Sequence, residues 1–199
     1  METLKHNDAA LLAEIKRLIS GRDDRAIEWL FDHYYDKLVH FAQSFVSVTE
    51  TAEEIVDDII LKLWNNPLLV SNIENLPVYL YKSVKNECIS SLRKKNHTLS
   101  TDFSAGGYAV QSHSTNPLED LVLSEMNQAL QVAVDSLPPK CRLIFRLIRE
   151  DGLAYKEVAE ILGISVNTID NQMAIAVKRI CAAIGIGKNS NNSWYLQQS

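Results

Sequence analysis

The chain has 199 residues, of which 46% are hydrophobic and 23% are charged, and its formal net charge is −5. This length allows one medium domain or two small domains with real hydrophobic cores. Because the overall charge is negative, any contact with nucleic acid must depend on local basic patches.

Cysteine spacing and hydropathy exclude several classes of protein. Cys88, Cys141 and Cys181 are far apart and form no CxxC pair, which argues against a disulfide scaffold or zinc site. Residues 1–20 contain interspersed acids, and no apolar run approaches the ~20 residues that span a membrane. We therefore expect a cytoplasmic protein that is not inserted in a membrane and holds no metal or cofactor.

The first third of the chain predicts helices only. Residues 1–21 are typical of a short amphipathic helical extension. A second helix is predicted from Ala26 to Val48, where apolar and aromatic residues recur at helical spacing and should form a buried seam. The members of this seam are Trp29, Leu30, Tyr34, Leu38, Phe41 and Phe45.

An acidic helix is predicted from Thr51 to Trp64. Thr51 and Glu54 have the T-x-x-E spacing of a capping box at its start. One face is apolar and the other concentrates four acids before the first base, Lys62. Such a face is usually only solvated, and a basic protein partner is the second interpretation. The four acids are Glu53, Glu54, Asp57 and Asp58.

A polar loop from Pro67 to Leu76 and a basic helix from Val78 to Lys95 are predicted next, with Pro77 opening the helix. The helix holds five bases against the single acid Glu87, and aromatic residues lie among the bases. Basic side chains interleaved with aromatic rings suit single-stranded or melting nucleic acid. An ordinary solvated helix end is an equally open interpretation.

The composition changes abruptly after this helix. Residues 97–117 are rich in Ser, Thr and Gly and contain no Lys or Arg, which is typical of a linker. The linker would separate a first domain, 22–96, from a second, 118–188, which is followed by a polar tail, 189–199.

The second domain opens with two predicted helices. The first ends at the turn Leu137-Pro138-Pro139, and the second runs from Lys140 to Glu150. The second helix carries a basic stripe that is either a solvated face or a contact to the DNA backbone. The stripe consists of Arg142, Arg146 and Arg149.

Residues 150–180 have the pattern of a helix-turn-helix. Tyr155, Val158 and Leu162 share one face of a short helix, Gly163 can end that helix, and Ser165 can cap the next one. The second helix turns apolar residues inward and small polar or basic residues outward, as a DNA-reading helix does. A plain pair of core helices is the alternative.

Taken in this order, the modules resemble a bacterial sigma factor of the extracytoplasmic-function type, the smallest of the sigma-70 class. Residues 52–66 look like the family's second conserved region, which grips the clamp helices of the polymerase β′ subunit. Residues 75–95 look like its promoter-melting and −10-reading segment. Residues 137–180 look like its fourth region, which reads the −35 element.

The resemblance implies an all-α protein of two small helical domains, region 2-like and region 4-like, joined by a flexible linker. Its partners would be core RNA polymerase (through the β′ clamp helices and the β flap), promoter DNA and an anti-sigma factor. The residues implied in polymerase binding are Glu53, Glu54, Asp57, Asp58, Lys62 and Trp64. Those implied at the −10 element are Asn72, Asn75, Leu76, Tyr79, Lys82, Lys85, Asn86, Arg93 and Lys94, with the loop from Pro67 to Leu76 receiving a flipped base. Those implied at the −35 element are Arg142, Arg146, Ser165, Asn167, Thr168, Asp170, Asn171, Gln172, Ile175, Lys178 and Arg179.

The chain departs from the family's usual pattern at three positions. Asp170 stands in the recognition helix where many relatives have a base, Ser90 where an acid is frequent, and Asp57 where a glutamine is usual. A carboxylate can accept from cytosine N4 but repels phosphate, so the −35 sequence preference cannot be transferred.

Two other functions compete with transcription initiation. A stand-alone helix-turn-helix regulator would bind duplex DNA without polymerase, but it leaves the acidic and basic helices unexplained. An interaction module that binds polymerase or a regulator but no DNA would keep full activity after charge reversal of Lys178 and Arg179. No nucleophile–base pair, phosphate-binding glycine loop or metal cluster indicates an enzyme, and we expect no catalytic residue.

Overall fold

The computed structural model describes the backbone of residues 2–95 and 120–184, and side chains within 11–94 and 128–184. In these ranges the chain forms helices and no strand, which confirms the all-α prediction. The helices are α1 (Glu2–Ser20), α2 (Arg25–Ala42), α3 (Thr49–Asn65), α4 (Pro67–Ser71), α5 (Leu76–Lys95), α6 (Asp120–Asp135), α7 (Pro139–Arg149), α8 (Tyr155–Leu162) and α9 (Val166–Ala183).

The first five helices pack around the apolar faces of α2, α3 and α5. Leu30 and Leu38 of α2, Ile60 of α3, and Leu80 and Val84 of α5 are fully buried. Burying a side chain of this size stabilises a fold by about 1.5–3 kcal/mol. Helix α1 lies against α2 and α4. The core side of the predicted aromatic seam is occupied by Leu30, Leu38 and Phe41, whereas Trp29, Tyr34 and Phe45 are only partly buried.

Three details of this region differ from the sequence predictions. The capping box is wrong, because α3 starts two residues before Thr51 and Val48 stands at its N-cap without a side-chain hydrogen bond. The second helix ends at Ala42 rather than Val48, since residues 43–48 form turns. The predicted loop from Pro67 to Leu76 contains the short helix α4, which Pro67 opens at a position where its missing N–H costs nothing.

The last four helices form a second group. Helix α7 packs on α9, α8 packs on α9, and α6 covers the far end of α9. A small cluster of buried residues joins α6, α7 and α9, and it includes Ala133, Cys141 and Ile180. Cys88 and Cys141 are buried thiols without a disulfide, whereas Cys181 is half-buried.

The two groups of helices share a continuous apolar core. One cluster of buried residues runs from α2 and α5 into α7, α8 and α9, and helix α5 packs directly on helix α8. The division into domains at 22–96 and 118–188 therefore stays a prediction. The predicted linker, 97–117, and the tail, 189–199, lie outside the described residues.

Two further findings concern the described ranges alone. None of their helices is long and apolar enough to cross a membrane. No group of three or more His, Cys, Asp or Glu side chains in them is placed to hold a metal ion.

Candidate nucleic-acid interface

The helix-turn-helix forms through local contacts that the sequence specifies. Gly163 ends α8 in the left-handed conformation, with φ 71° and ψ 38°, which a glycine adopts without steric cost. The Ser165 hydroxyl then accepts a hydrogen bond from the Thr168 amide at 3.1 Å, which caps α9. Both features confirm the predicted turn and cap.

Helix α9 presents a continuous polar face. Ile169, Met173, Ala176 and Ile180 are buried, as predicted, while Val177 is half-buried. The outward face is exposed at Asn167, Asp170, Asn171, Ile175, Lys178 and Arg179, and partly exposed at Thr168 and Gln172.

This face of α9 is open. Within the described part of the chain, the side chains of Asn167, Asn171, Lys178 and Arg179 make no hydrogen bond or ion pair with any other residue. Sequence reasoning overlooked Val166, which is 43% exposed and lies one turn before Asp170 on the same face. An apolar side chain at that place can contact a thymine methyl group. Val166 could have been found in the sequence from its i, i+4 spacing to Asp170.

The basic stripe on α7 is partly used inside the chain. An Arg142 guanidinium nitrogen donates to the backbone carbonyl of Asp135 at 2.6 Å, and Arg146 bonds the Asp135 carboxylate at 2.8 Å. Asp135 is the last residue of α6, so the two guanidinium groups cover the negative end of that helix. Arg149 is exposed at the end of α7.

In the predicted base-receiving loop, the side chains of both Asn72 and Asn75 make hydrogen bonds within the chain. The Asn75 carbonyl oxygen accepts from the Val78 amide at 3.0 Å and caps α5, while its amide group donates to Glu157 of α8 at 2.6 Å. The Asn72 amide group donates to the Leu68 carbonyl at 3.0 Å. Leu76 is buried in the core.

Two lysines of α5 also face α8. The Lys82 ammonium lies 3.1 Å from the Glu160 carboxylate, and the Lys85 ammonium donates to the Ile161 carbonyl at 2.6 Å. Ile161 lies in the last turn of α8, where carbonyls lack helical partners and carry partial negative charge. Burial, and then the neighbouring charge of Lys82, lowers the pKa of Lys85.

The tyrosines of this helix differ in exposure. Tyr79 is half-buried, whereas Tyr81 is fully buried and packs edge-to-face on Phe41 with ring centres 5.0 Å apart. The Tyr81 hydroxyl donates to the Asp151 carboxylate, in the turn between α7 and α8, at 2.8 Å. Burial raises the pKa of Asp151 to about 6, against the opposing effect of that hydrogen bond.

The C-terminal part of α5 is open to solvent. Asn86 and Arg93 are exposed and make no hydrogen bond or ion pair within the described residues. Lys94 makes a loose ion pair with Glu87 at 3.8 Å, and both side chains remain largely exposed.

The acids of α3 fall on two faces. Glu54, Asp58 and Lys62 are exposed, whereas Glu53, Asp57 and Trp64 are half-buried. The pKa of Tyr35 on α2 is raised first by burial, and then by the negative charges of Asp57 and Glu53. These two acids therefore lie on the side of α3 that faces α2. Leu61, which the sequence analysis overlooked, is 44% exposed next to the outward acids. It could have been found in the sequence from its i, i+3 spacing to Asp58.

Three acids that meet α5 could not be identified from the sequence. Asp151, Glu157 and Glu160 lie at separations of 70 to 82 residues from their α5-side partners, and no local pattern encodes such contacts. Glu157 has a local partner as well, since its carboxylate accepts from the Ala154 amide at 2.8 Å.

Two family models match this chain. The model for sigma-70 region 2 matches residues 30–98, and the model for sigma-70 region 4 matches residues 127–180. The two matches together cover more than half of the chain, in the order in which the helices α2–α5 and α6–α9 follow each other.

Curated relatives and a solved structure agree with these models. The chain is 22% identical to the ECF RNA polymerase sigma factor RpoE of Cereibacter sphaeroides, over 85% of this chain and 92% of the relative. It is 25% identical to the ECF RNA polymerase sigma factor SigW of Bacillus subtilis, over 80% of this chain and 88% of the relative. The fold is similar to that of the sigma factor RpoE in complex with the anti-sigma factor NepR from Bartonella quintana, with a TM-score of 0.55 and 24% identity over 83% of this chain and 99% of that one. The chain therefore belongs to the sigma-70 family of RNA polymerase sigma factors, and within it to the extracytoplasmic-function type.

Proposed function

We propose that this chain is a transcription initiation factor that binds core RNA polymerase and directs it to promoters. The observation that carries this conclusion is the presence of both sigma-70 regions, 2 and 4, in order on one chain. A stand-alone regulator would need only the helix-turn-helix, and it leaves the region 2 match over residues 30–98 unexplained.

The exposed edge of α3 would provide the contact with the β′ clamp helices. Glu54, Asp58 and Lys62 are solvent-exposed there, and Leu61 adds an apolar surface beside them. Carboxylates facing a basic partner speed and orient docking, and a neighbouring apolar residue adds affinity once water is excluded. Glu53, Asp57 and Trp64, which are half-buried, would contribute less direct contact.

Promoter DNA would be read at two places. The outward face of α9 would enter the major groove at the −35 element, with Asn167 and Asn171 toward base edges and Lys178 and Arg179 toward phosphates. The basic side of α5 would hold the separating strands at the −10 element, with Tyr79 as a stacking ring. The guanidinium groups of Arg142 and Arg146 would have to leave Asp135 to reach DNA.

The remaining parts of the proposal follow from the polymerase partner. Polymerase carries out RNA synthesis, so the chain itself needs no catalytic residue, and it would act in the cytoplasm where core polymerase is found. The structure similar to this fold is a sigma factor bound to an anti-sigma factor, and we infer an anti-sigma partner for this chain as well. Region 4 would contact the β flap.

The decisive experiment is binding of the labelled protein to core RNA polymerase, comparing the wild type with Asp58→Lys. Reversing a charge at an electrostatically complementary interface should weaken binding by about tenfold or more. Glu28→Lys is the matched control, because Glu28 is also exposed but lies on α2. Equal binding of the two variants would reject the α3 contact, and absence of binding by the wild type would reject the proposed function.

A further inference from the structure

Helix α1 is tied to the predicted base-receiving loop by one long-range hydrogen bond. The Lys16 ammonium donates to the Ser71 carbonyl at 3.0 Å, across a separation of 55 residues. Lys16 is half-buried, while Ile15 and Ile19 of the same helix are buried in the core. Because these apolar neighbours fix α1 against the first group of helices, the lysine reaches the loop from a rigid support.

Helix α4, which begins the loop, is too short to be stable by itself. It has five residues, Pro67–Ser71, whereas isolated helices shorter than about 12 residues are marginal in water. Its position must therefore come from packing and from hydrogen bonds at its ends. The buried side chain of Val70 supplies the packing, and α4 contacts both α1 and α3.

The carbonyl groups at the end of α4 are hydrogen-bonded. The Leu68 carbonyl accepts from the Ser71 hydroxyl at 2.7 Å and from the Asn72 side-chain amide at 3.0 Å. The backbone amides of Asn72 and Ile73 bond the next two carbonyls. The last carbonyl, that of Ser71, carries the partial negative charge of a helix end and accepts from Lys16. Of these bonds, the one from Lys16 is the one that starts outside the loop, so it ties the end of α4 to another helix.

The same short helix presents uncharged side chains to solvent, just before the basic helix α5 in the chain. Leu68 is 84% exposed, and Asn66 and Asn72 are exposed as well. An apolar side chain can pack on the face of an unstacked base, and a neighbouring amide group can bond its edge. Both contacts depend on where the backbone of α4 is held, because a shift of about 1 Å takes a hydrogen bond out of its range.

We propose that Lys16 is a positioning residue for selection of the −10 base, since it holds the end of α4 so that Leu68 and Asn72 meet that base in a fixed geometry. This rests on the proposed function, and it gives the N-terminal helix a role in promoter choice. Lys16 acts through the backbone of Ser71 and does not itself touch the base. Its loss leaves α1 in place, because Ile15 and Ile19 remain buried, but it lets α4 shift.

The first test measures base selection by the complete complex. Core polymerase carrying the full-length protein is mixed with a pool of single DNA strands in which a short stretch is fully randomised, and the bound strands are sequenced. The quantity compared is the enrichment of the preferred base over the least preferred base at the most selective position. Lys16→Met keeps an apolar stem but lacks a donor, and it should lower this ratio about three- to tenfold. Lys16→Arg keeps a charged donor and should retain most of the ratio.

The matched control is Arg17→Met, which removes the same charge from the next position of α1. Arg17 is 66% exposed and pairs with Glu14 on its own helix at 2.6 Å, whereas Lys16 bonds the loop. Arg17→Met should therefore select bases as the wild type does. Total binding of the strand pool should be similar for both variants, because the two lose the same charge and only the position of α4 differs.

The second test follows the loop in the free protein by hydrogen exchange. The backbone amides of Asn72 and Ile73 bond carbonyls of α4, so they report how firmly its end is held. They should exchange about three- to tenfold faster in Lys16→Met than in Arg17→Met. Amides of α2 and α3 should exchange alike in the two variants, which shows that the surrounding fold is intact.

The outcomes separate this inference from the proposed function. An unchanged selection ratio or unchanged exchange in Lys16→Met overturns the positioning role, while normal polymerase binding by the wild type leaves the sigma function intact. Equal losses in Lys16→Met and Arg17→Met also overturn it, because the charge of α1 would then be responsible and not the bond to Ser71. Failure of the wild type to bind polymerase rejects the proposed function, and the inference that rests on it falls as well.

Discussion

The two candidate DNA surfaces of this sigma factor are in opposite states. The outward face of α9 is open, since Asn167, Asn171, Lys178 and Arg179 have no partner in the described part of the chain. The facing side of α5 is covered, since Asn75, Lys82 and Lys85 are bonded to α8. A single helix-turn-helix thus presents one of its helices to solvent and uses the other to occupy the second surface.

The two surfaces differ because their contacts join residues at very different separations along the chain. The face of α9 is set up by the Gly163 turn and the Ser165 cap, which act within five residues. The state of α5 is set by partners about 80 positions away. The Gly163 turn and the Ser165 cap do not depend on the packing of the two groups of helices, whereas every one of the α5 contacts does. A separation of the two groups would therefore change only the α5 surface.

The largest expected effect tests whether the α9 surface is open in the free protein. Replacing Lys178 and Arg179 by Ala removes two phosphate contacts, which should lower the slope of log affinity against log salt by about 1.8. Duplex affinity should then fall about thirtyfold at 0.15 M salt. Fluorescence anisotropy on a labelled random duplex between 50 and 200 mM salt measures both quantities.

Two further double variants serve as comparisons for that experiment. Arg22→Ala/Lys62→Ala removes the same charge from two exposed positions, one in the turn between α1 and α2 and one on α3, and it should change the slope little. Lys82→Ala/Lys85→Ala removes lysines that are already paired, so its effect on the free chain should be much smaller than that of the α9 variant. An equal loss from the α5 and α9 variants would contradict the contrast between an open and a covered surface.

A second prediction concerns the pH dependence of the closed state, in which α8 packs on α5, relative to an open state in which the two groups of helices have parted. Burial raises the pKa of Asp151 to about 6, whereas a solvent-exposed aspartate has a pKa near 4. The closed form therefore binds a proton more readily, and the stability this proton provides is lost as pH rises through about 6. The ratio of closed to open protein should fall about tenfold between pH 5 and pH 7.5.

Other polar and charged groups face Asp151 and require a control. They are Tyr81 on α5, Lys37 and His40 on α2, and Glu150 next to it. Small-angle scattering at the two pH values should show a larger radius of gyration at pH 7.5 for the wild type. Asp151→Asn cannot titrate and should lose most of that difference. A full pH response in Asp151→Asn would assign the effect to one of the other groups.

The sequence predicted the open surface far better than the covered one. Gly163, Ser165 and the buried series Ile169, Met173, Ala176 could be found because capping and helical periodicity are local. The capping box at Thr51 failed because α3 starts earlier than its polar pattern indicates. Glu157 and Glu160 looked like ordinary solvated acids of an amphipathic helix, since only the packing of α8 on α5 gives them a partner.

The burial of Tyr81 is a second feature that local sequence patterns could not predict. The sequence predicted that aromatic rings among the bases of α5 could stack on nucleic acid, yet the helical face that carries Tyr81 also carries Val84 and Cys88 into the core. Residue type and spacing therefore identified the basic helix, but they could not tell which aromatic ring would be buried by a neighbouring module.

The smallest expected effect tests the local contacts that form the α9 surface, through the Ser165 cap. Ser165→Ala removes the acceptor for the Thr168 amide and should lower the free energy of unfolding by about 1 kcal/mol. For a protein of this size the melting temperature should fall by roughly 2–4 °C, measured by circular dichroism. Ser165→Asp keeps an acceptor at the cap and should retain most of the stability. A zero-length carbodiimide, which joins a carboxylate to an amine that touches it, should link Lys82 to Glu160. Because the cap acts within α9, the yield of that Lys82–Glu160 link should stay unchanged in both variants. A loss of that link in Ser165→Ala would mean that the cap also holds the two groups of helices together, and the division between local and long-range control would fail.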